Sequence, residues 1–124
     1  MSLDPLPMNA DWTTGVEAIT FQRCRRCDAV QYFRRGFCRR CGSTALETCR
    51  ASGTGTVYAV TRVVRAATAE ARAHGPYTIV LVDAAEGFRL MAHGAENLAI
   101  GDAIAARFIA FTGRLVPFFE KIKS

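Results

Sequence analysis

Residues 24–42 contain Cys24-Arg-Arg-Cys27, ten intervening residues, and then Cys38-Arg-Arg-Cys41-Gly42. Each close pair of cysteines can place two thiolates on one tight turn, and two such turns supply the tetrahedral four-sulfur shell that zinc prefers. All four ligands are cysteine, so no coordination position stays open for a catalytic water. The sequence therefore predicts a structural zinc site, with an iron site of the same four-sulfur kind as the alternative.

The cysteine segment is also the most basic part of the chain. The net charge is +5, and the charges beyond residue 50 are close to balanced. Within 18 residues lie seven arginines, opposed there only by Asp28: Arg23, Arg25, Arg26, Arg34, Arg35, Arg39 and Arg40. An arginine cluster of this density predicts an anion or an acidic surface as a partner. The alternative is that the arginines only keep a small metal module in solution.

A chain of 124 residues can build one compact core of modest size, which a metal site would help to stabilise. We expect a partly flexible N-terminal segment at residues 1–22, a zinc ribbon at 23–48 and a barrel at 49–124. Residues 1–11 lack the basic start and apolar stretch of a signal peptide, and no apolar run is long enough to cross a bilayer. Together with the paired cysteines, these features indicate reduced thiols and a cytoplasmic protein.

The region after residue 49 is the largest apolar block and has the pattern of strands. Runs rich in β-branched and aromatic residues lie between turn residues at five places: 55–64, 77–83, 88–92, 103–111 and 115–122. We expect residues 66–75 to form a loop or short helix, and residues 95–99 to form one helical turn. Five short strands with a brief helix before the fourth predict a mainly β chain containing a closed barrel of the oligomer-binding (OB) type. A five-stranded SH3-like barrel is the alternative.

The remaining chemically active residues form no evident catalytic set. Cys49 lies outside both pairs and is not linked in sequence to His74 or His93, so we expect a buried or half-exposed thiol. The three acidic residues nearest the strands sit at turns, where carboxylates commonly hydrogen-bond the backbone; they are Asp83, Glu86 and Asp102. A general acid–base pair among them is the alternative.

An aromatic cluster lies near the C-terminus: Phe108, Phe111, Phe118 and Phe119. The adjacent residues Phe118 and Phe119 point to opposite faces if the backbone is extended. We therefore expect one of them in the core and the other available to a ligand or partner.

The order and spacing of these motifs resemble the DUF35 family, which is described as acyl-CoA-associated OB-fold proteins with a rubredoxin-like zinc ribbon. The resemblance runs from about Trp12 to Phe119. It rests on FQRCRRC at 21–27, CRRCGS at 38–43, SGTGTVY at 52–58, EGFRL at 86–90, IGD at 100–102 and LVPFF at 115–119. It implies a mainly β chain, with an N-terminal rubredoxin-like zinc ribbon followed by a five-stranded OB-fold barrel.

The resemblance also implies an accessory subunit without chemistry of its own. Members pair with thiolase-superfamily enzymes, or are fused or bound to hydratase-like subunits, and help to form the acyl-CoA site. The segments 12–19 and 32–35 are most similar to the thiolase-associated branch, some members of which serve the degradation of aromatic compounds. Two features depart from the family: Phe33-Arg34 stands where many relatives have two prolines, and the N-terminal helix is shortened.

Coenzyme A carries phosphates and a flat adenine, which arginines beside aromatic rings would suit. Arg34, Arg35 and Phe37 are therefore our first candidates for contact with CoA or with a partner, and Phe118 is the second. A nucleic-acid-binding module is the rival hypothesis, because zinc ribbons, OB barrels and arginine clusters all occur in such proteins. Against it, residues 79–82 are aliphatic where base-stacking aromatics would be expected. A free-standing enzyme lacks support for want of a catalytic set.

Overall fold

The structure is a computed structural model that describes residues 10–64, Ala69 and residues 75–122. A three-residue 3-10 turn at Trp12–Thr14 precedes the first strand. The strands formed by the described residues are β1 (Thr20–Cys24), β2 (Val30–Gln31), β3 (Leu46–Arg50), β4 (Thr54–Val63), β5 (Tyr77–Ala84), β6 (Arg89–Gly94), β7 (Ala103–Phe111) and β8 (Arg114–Lys121).

The N-terminal strands form a small sheet in the order β2-β1-β3. The central strand β1 is antiparallel to both neighbours, and it places Gln22 between Gln31 on one side and Thr48 on the other. The strands β1 and β3 run across the boundaries expected at residues 22/23 and 48/49. Those boundaries stay a prediction.

The remaining five strands form a closed barrel in the order β4-β5-β6-β8-β7, with β7 pairing back onto β4. The strands β6 and β8 are parallel, while the other neighbours in the barrel are antiparallel. Each strand lies within two residues of its predicted range. The barrel is of the OB type predicted from the sequence.

Residues 95–99 do not form the expected helical turn; the structure has a hydrogen-bonded turn instead. The Ala95 amide donates to the Phe119 carbonyl at 2.9 Å, and the Ala99 amide donates to the Asp102 carboxylate at 2.8 Å. Burial of Leu98 in the core secures the turn. The loop or helix expected at 66–75 lies outside the described residues, apart from Ala69 and Gly75.

Alternation along the strands builds the barrel core. In β5 the inward residues Thr78, Val80 and Val82 are buried, while their neighbours are half-buried. The largest fully buried apolar side chains of the barrel are Val57, Val80, Val82, Ile104, Pro117 and Phe119. This period of two is the one expected for strands with one face against a core.

The ribbon and the barrel share one core. Ile19 and Phe21 of the ribbon belong to the same buried cluster as the barrel residues. The ring of Phe88 stacks on Phe21 with centroids 5.0 Å apart and on Tyr32 with centroids 5.5 Å apart. The Trp12 indole donates to the Tyr32 hydroxyl at 3.1 Å, which fixes the outer ring of this stack.

Gly55 marks the tightest point of the barrel, and Gly55→Ala should destabilise it. A Cβ at this position would lie 2.5 Å from the Asp83 carbonyl oxygen, and a backbone atom cannot swing aside. We expect a loss of about 1–3 kcal/mol in the free energy of unfolding, measured by urea denaturation. Gly36→Ala is the matched control, because a Cβ there meets nothing within 4 Å. Equal stability of the two variants would contradict the prediction.

Candidate metal centre and arginine loop

The four paired cysteines come together at one end of the ribbon. The sulfurs of Cys24, Cys27, Cys38 and Cys41 all lie within 4.8 Å of one another. The Sγ atoms of Cys24 and Cys41 are 3.6 Å apart, as are those of Cys27 and Cys38. Four sulfurs bound tetrahedrally at about 2.3 Å from zinc stand roughly 3.8 Å apart, so the cluster has the size that a zinc ion requires.

The two cysteine pairs sit on turns built alike. The Arg26 amide donates to the Cys24 sulfur and the Arg40 amide donates to the Cys38 sulfur, each at 3.4 Å. Gly42 has a φ of 79° and donates its amide to the Cys38 carbonyl at 2.8 Å. This left-handed conformation, which glycine adopts without strain, closes the second turn.

The same turns favour the thiolate form at two of the sulfurs. The Cys27 amide, more strongly than any other group, lowers the pKa of Cys24, and the Cys41 amide does the same for the pKa of Cys38. Burial opposes both effects without reversing them. Because metals bind thiolates, these two side chains are predisposed to bind zinc.

Cys49 has a different environment. It is half-buried in β3 opposite Phe21 of β1, and burial is the main cause that raises the pKa of its thiol. The expectation of a half-exposed thiol, outside the metal cluster, is confirmed.

Residues 33–39, which we call the arginine loop, follow β2 and extend into the first two residues of the second cysteine turn. The guanidinium group of Arg34 bonds the Asp11 carboxylate at 2.8 Å and the Thr20 hydroxyl at 3.3 Å. Arg34, Arg35, Phe37 and Arg39 are all exposed, but of the three arginines only Arg34 forms an ion pair with a described residue. The structure thus separates Arg34 from the other candidates of this loop, and their role in binding stays a prediction.

Two buried glutamines hold the backbone of the arginine loop, and no sequence motif pointed to either of them. The Gln22 side chain accepts from the Arg35 amide at 3.0 Å and donates to the Arg35 carbonyl at 3.1 Å. The Gln31 side chain accepts from the Arg39 amide at 3.1 Å and donates to the Phe37 carbonyl at 3.3 Å. Gln31 also donates to Gln22 at 2.8 Å, so the two amides form one network. The strand β1 also contains Thr20 and Arg23, so no local pattern in the sequence distinguishes Gln22.

A cavity of about 530 Å³ lies at the junction of ribbon and barrel. Aromatic rings and arginines dominate its wall: Tyr32, Phe33, Arg35, Arg39, Phe88 and Arg89. Phe118 lines a different cavity, of about 260 Å³, with Tyr77, His93 and Phe111. The structure therefore does not bring Phe118 together with the arginine loop. The guanidinium of Arg107 lies 4.7 Å from the centre of the Phe118 ring.

The three acidic residues near the turns form hydrogen bonds to backbone amides or an ion pair. Glu86 accepts from the Ser52 amide at 2.7 Å and Asp102 accepts from the Ala99 amide at 2.8 Å. Asp83 pairs instead with Arg89 at 2.7 Å. The expected turn-stabilising role is confirmed for Glu86 and Asp102. His93 packs among aromatic rings, 4.2 Å from the Phe111 centroid, and His74 lies outside the described residues.

Comparison with known proteins matches both halves of the chain to one family. Residues 15–47 match the rubredoxin-like zinc ribbon domain of ChsH2, and residues 49–108 match the C-terminal OB-fold domain of ChsH2. No curated protein matches the sequence. Within the described residues, no helix has the length and hydropathy that spanning a membrane requires.

Two solved structures are similar to this chain. One, described as an Ltp2-ChsH2(DUF35) aldolase, is 25% identical, with a TM-score of 0.71 over 84% of each chain. The other is a DUF35 protein of unknown function from Sulfolobus solfataricus, 16% identical, with a TM-score of 0.57 over 85% of this chain and 76% of that chain. At that identity the second likeness concerns the fold alone.

The fold and the sulfur cluster define a zinc-ribbon/OB-fold protein, whose four cysteines are positioned to bind a metal ion. The chain belongs to the DUF35 family, and both of its domains are of the ChsH2 type. The predicted fold class and the predicted zinc cofactor are confirmed.

Proposed function

We propose that this chain is a non-catalytic accessory subunit of a thiolase-superfamily acyl-CoA enzyme, which it stabilises and whose CoA-thioester site it helps to form. The observation that carries the proposal is the similarity, over 84% of both chains, to a structure described as an Ltp2-ChsH2(DUF35) aldolase. That description joins a ChsH2(DUF35) protein to a second protein in one enzyme. The thiolase identity of the partner, and a setting in the degradation of aromatic compounds, come from the branch that the sequence resembles.

The chemistry of the described side chains supports a non-catalytic role. A four-cysteine shell occupies all the positions of a tetrahedral zinc ion, so such a metal has no site for substrate or water. Glu86 and Asp102 are engaged with backbone amides at turns. His93 lies against Tyr77 and Phe111 rather than beside a nucleophile. An enzyme partner would therefore supply the reacting groups.

The junction cavity supports a role at a CoA site. Neither Arg35 nor Arg39 takes part in an ion pair between described residues, so both guanidinium groups are available to anionic groups at an interface that CoA and the partner share. The rings of Tyr32 and Phe33 lie beside them in the same wall and could pack against adenine. Phe118, in the other cavity, is the second candidate for contact with the thioester or the partner.

The proposal predicts that the tagged chain, recovered from cells of its source organism, brings a thiolase-superfamily subunit with it in stoichiometric amount. We expect the purified chain to have no acyl-CoA activity and to raise the activity of that subunit on mixing. Turnover by the isolated chain would contradict the proposal. Salt-dependent gel shifts with single-stranded oligonucleotides, without a thiolase-superfamily partner, would favour the nucleic-acid-binding alternative.

A further inference from the structure

The arginine loop exposes a combination of side chains that is typical of protein interfaces. Phe33 is 73% exposed and Phe37 is 51% exposed. Between and beside these rings stand Arg35 and Arg39, and no carboxylate of the described residues pairs with either. Aromatic residues and arginine are enriched where two proteins meet, and they dominate the binding free energy there.

The charge of the loop indicates what kind of surface fits it. Residues 33–39 include three arginines and no acidic residue. Asp11 pairs with Arg34, which leaves the charges of Arg35 and Arg39 without an ion-pair partner among the described residues. The neighbouring arginines of the cysteine turns, Arg26 and Arg40, are also exposed. An acidic face that accepts two phenylalanine rings would complement this loop in charge and in shape.

The backbone of the loop is fixed before any partner arrives. Gln22 is 7% exposed and Gln31 is 5% exposed, and together they bond the backbone of Arg35, Phe37 and Arg39. These bonds go to the main chain, so they leave the arginine and phenylalanine side chains outside. A loop that is already ordered loses less conformational freedom on binding.

We infer that residues 33–39 are the docking surface for an acidic face of the partner enzyme subunit, and that Gln22 and Gln31 are positioning residues that hold this surface in its binding shape. The inference rests on the proposed function, since that function supplies the partner. Beyond that function, residues 33–39 contact the partner, the partner's contacting face is acidic, and the two buried glutamines hold the loop backbone in its binding conformation. Neither glutamine touches the partner itself.

The test measures the affinity of variants, by calorimetry, for the thiolase-superfamily subunit recovered with the wild-type chain. Replacing both exposed arginines (R35Q/R39Q) should weaken binding by about 30-fold or more, as expected when central interface residues are removed. It should also flatten the dependence of affinity on salt. R114Q is the matched control at the far hairpin of the barrel, and it should bind within about twofold of wild type, as expected for a substitution outside the interface.

The positioning role is tested by Gln22→Met, which keeps the length of the side chain and removes its hydrogen bonds. We expect about tenfold weaker binding with one zinc per chain retained, since only the preorganisation of the loop is lost. Hydrogen exchange should show faster exchange of the Arg35 amide, which bonds Gln22 in the wild type. A change confined to overall stability would leave the relative exchange of this amide unaltered.

The three measurements test the docking surface, the positioning role of Gln22 and the proposed function separately. If the subunit binds wild type and R35Q/R39Q equally, the loop is not the docking surface, although the proposed function stands. If Gln22→Met keeps both its affinity and the protection of the Arg35 amide, the positioning role is overturned. If no thiolase-superfamily subunit binds the wild-type chain, the proposed function falls and this inference falls with it.

Discussion

Cys38→Ser should abolish zinc binding and unfold the ribbon, whereas Cys49→Ser should leave one zinc per chain. Cys38 is fully buried and provides one of four sulfurs that lie within 4.8 Å of one another. A serine hydroxyl is a poor ligand for zinc, and the three sulfurs that remain cannot complete the tetrahedral shell. Metal binding contributes on the order of 10 kcal/mol to the folding of small zinc domains, which exceeds what this three-stranded sheet can supply alone.

The measurements are the metal content per chain and the hydrogen exchange of residues 20–50. In Cys38→Ser, and equally in wild type after chelation, we expect the protection of these amides to be lost. Cys49→Ser makes the same chemical change at a cysteine that lies outside the sulfur cluster. A Cys38→Ser protein with full zinc content, or a chelated ribbon that stays protected, would show that the metal is not what holds the ribbon. Cobalt substitution offers a further check, because four thiolates give tetrahedral cobalt a characteristic absorption.

Phe119→Ala should be the most damaging single truncation in the barrel, at about 3–5 kcal/mol of the free energy of unfolding. Its ring is 1% exposed and is the largest of the fully buried side chains. Its backbone also joins β8 to both neighbouring strands: Phe119 pairs with Gly94 of β6 and with Ala106 of β7, and its carbonyl accepts from the Ala95 amide. A cavity at this point cannot be filled by movement of strands that are closed into a barrel.

Phe118→Ala is the control for this prediction, since the two phenylalanines are adjacent and differ only in the face they occupy. Phe118 is half-buried and packs beneath the Arg107 guanidinium. Its truncation should cost no more than about 1.5 kcal/mol, from partial burial and the cation–π contact. Urea denaturation and thermal melting would separate the two variants, with a difference in Tm of several degrees. Similar losses from both would contradict the assignment of Phe119 to the core and Phe118 to the surface.

The strands of the barrel were predictable because their signals are local. The last four β-rich runs are each preceded by a glycine, and all four of these glycines have a positive φ in the structure: Gly75, Gly87, Gly101 and Gly113. The segment expected to form a helical turn at 95–99 is a hydrogen-bonded turn instead. Its Ala99 amide bonds the nearby Asp102, but its Ala95 amide bonds the carbonyl of Phe119, which no pattern within five residues could indicate.

The zinc ligands were predictable for the same reason, since each cysteine pair lies on one turn. Which of the arginines forms an ion pair could not be predicted from the sequence. Whether Arg34 or Arg35 forms an ion pair depends on Asp11, which lies 23 residues away along the chain and pairs with Arg34. The roles of Gln22 and Gln31 depend on bonds to backbone atoms 13 and 8 residues away along the chain. Such contacts between residues far apart along the chain cannot be predicted from local sequence patterns.

The stack of Phe21, Phe88 and Tyr32 has a consequence for the whole chain. It joins ribbon and barrel through one core, so unfolding of the ribbon also removes packing contacts of the barrel residue Phe88. A metal that binds only the folded ribbon then raises the stability of the barrel as well, by mass action, in proportion to the logarithm of its free concentration. The concentration of free zinc in the cell would in this way set the fraction of chains able to enter a complex.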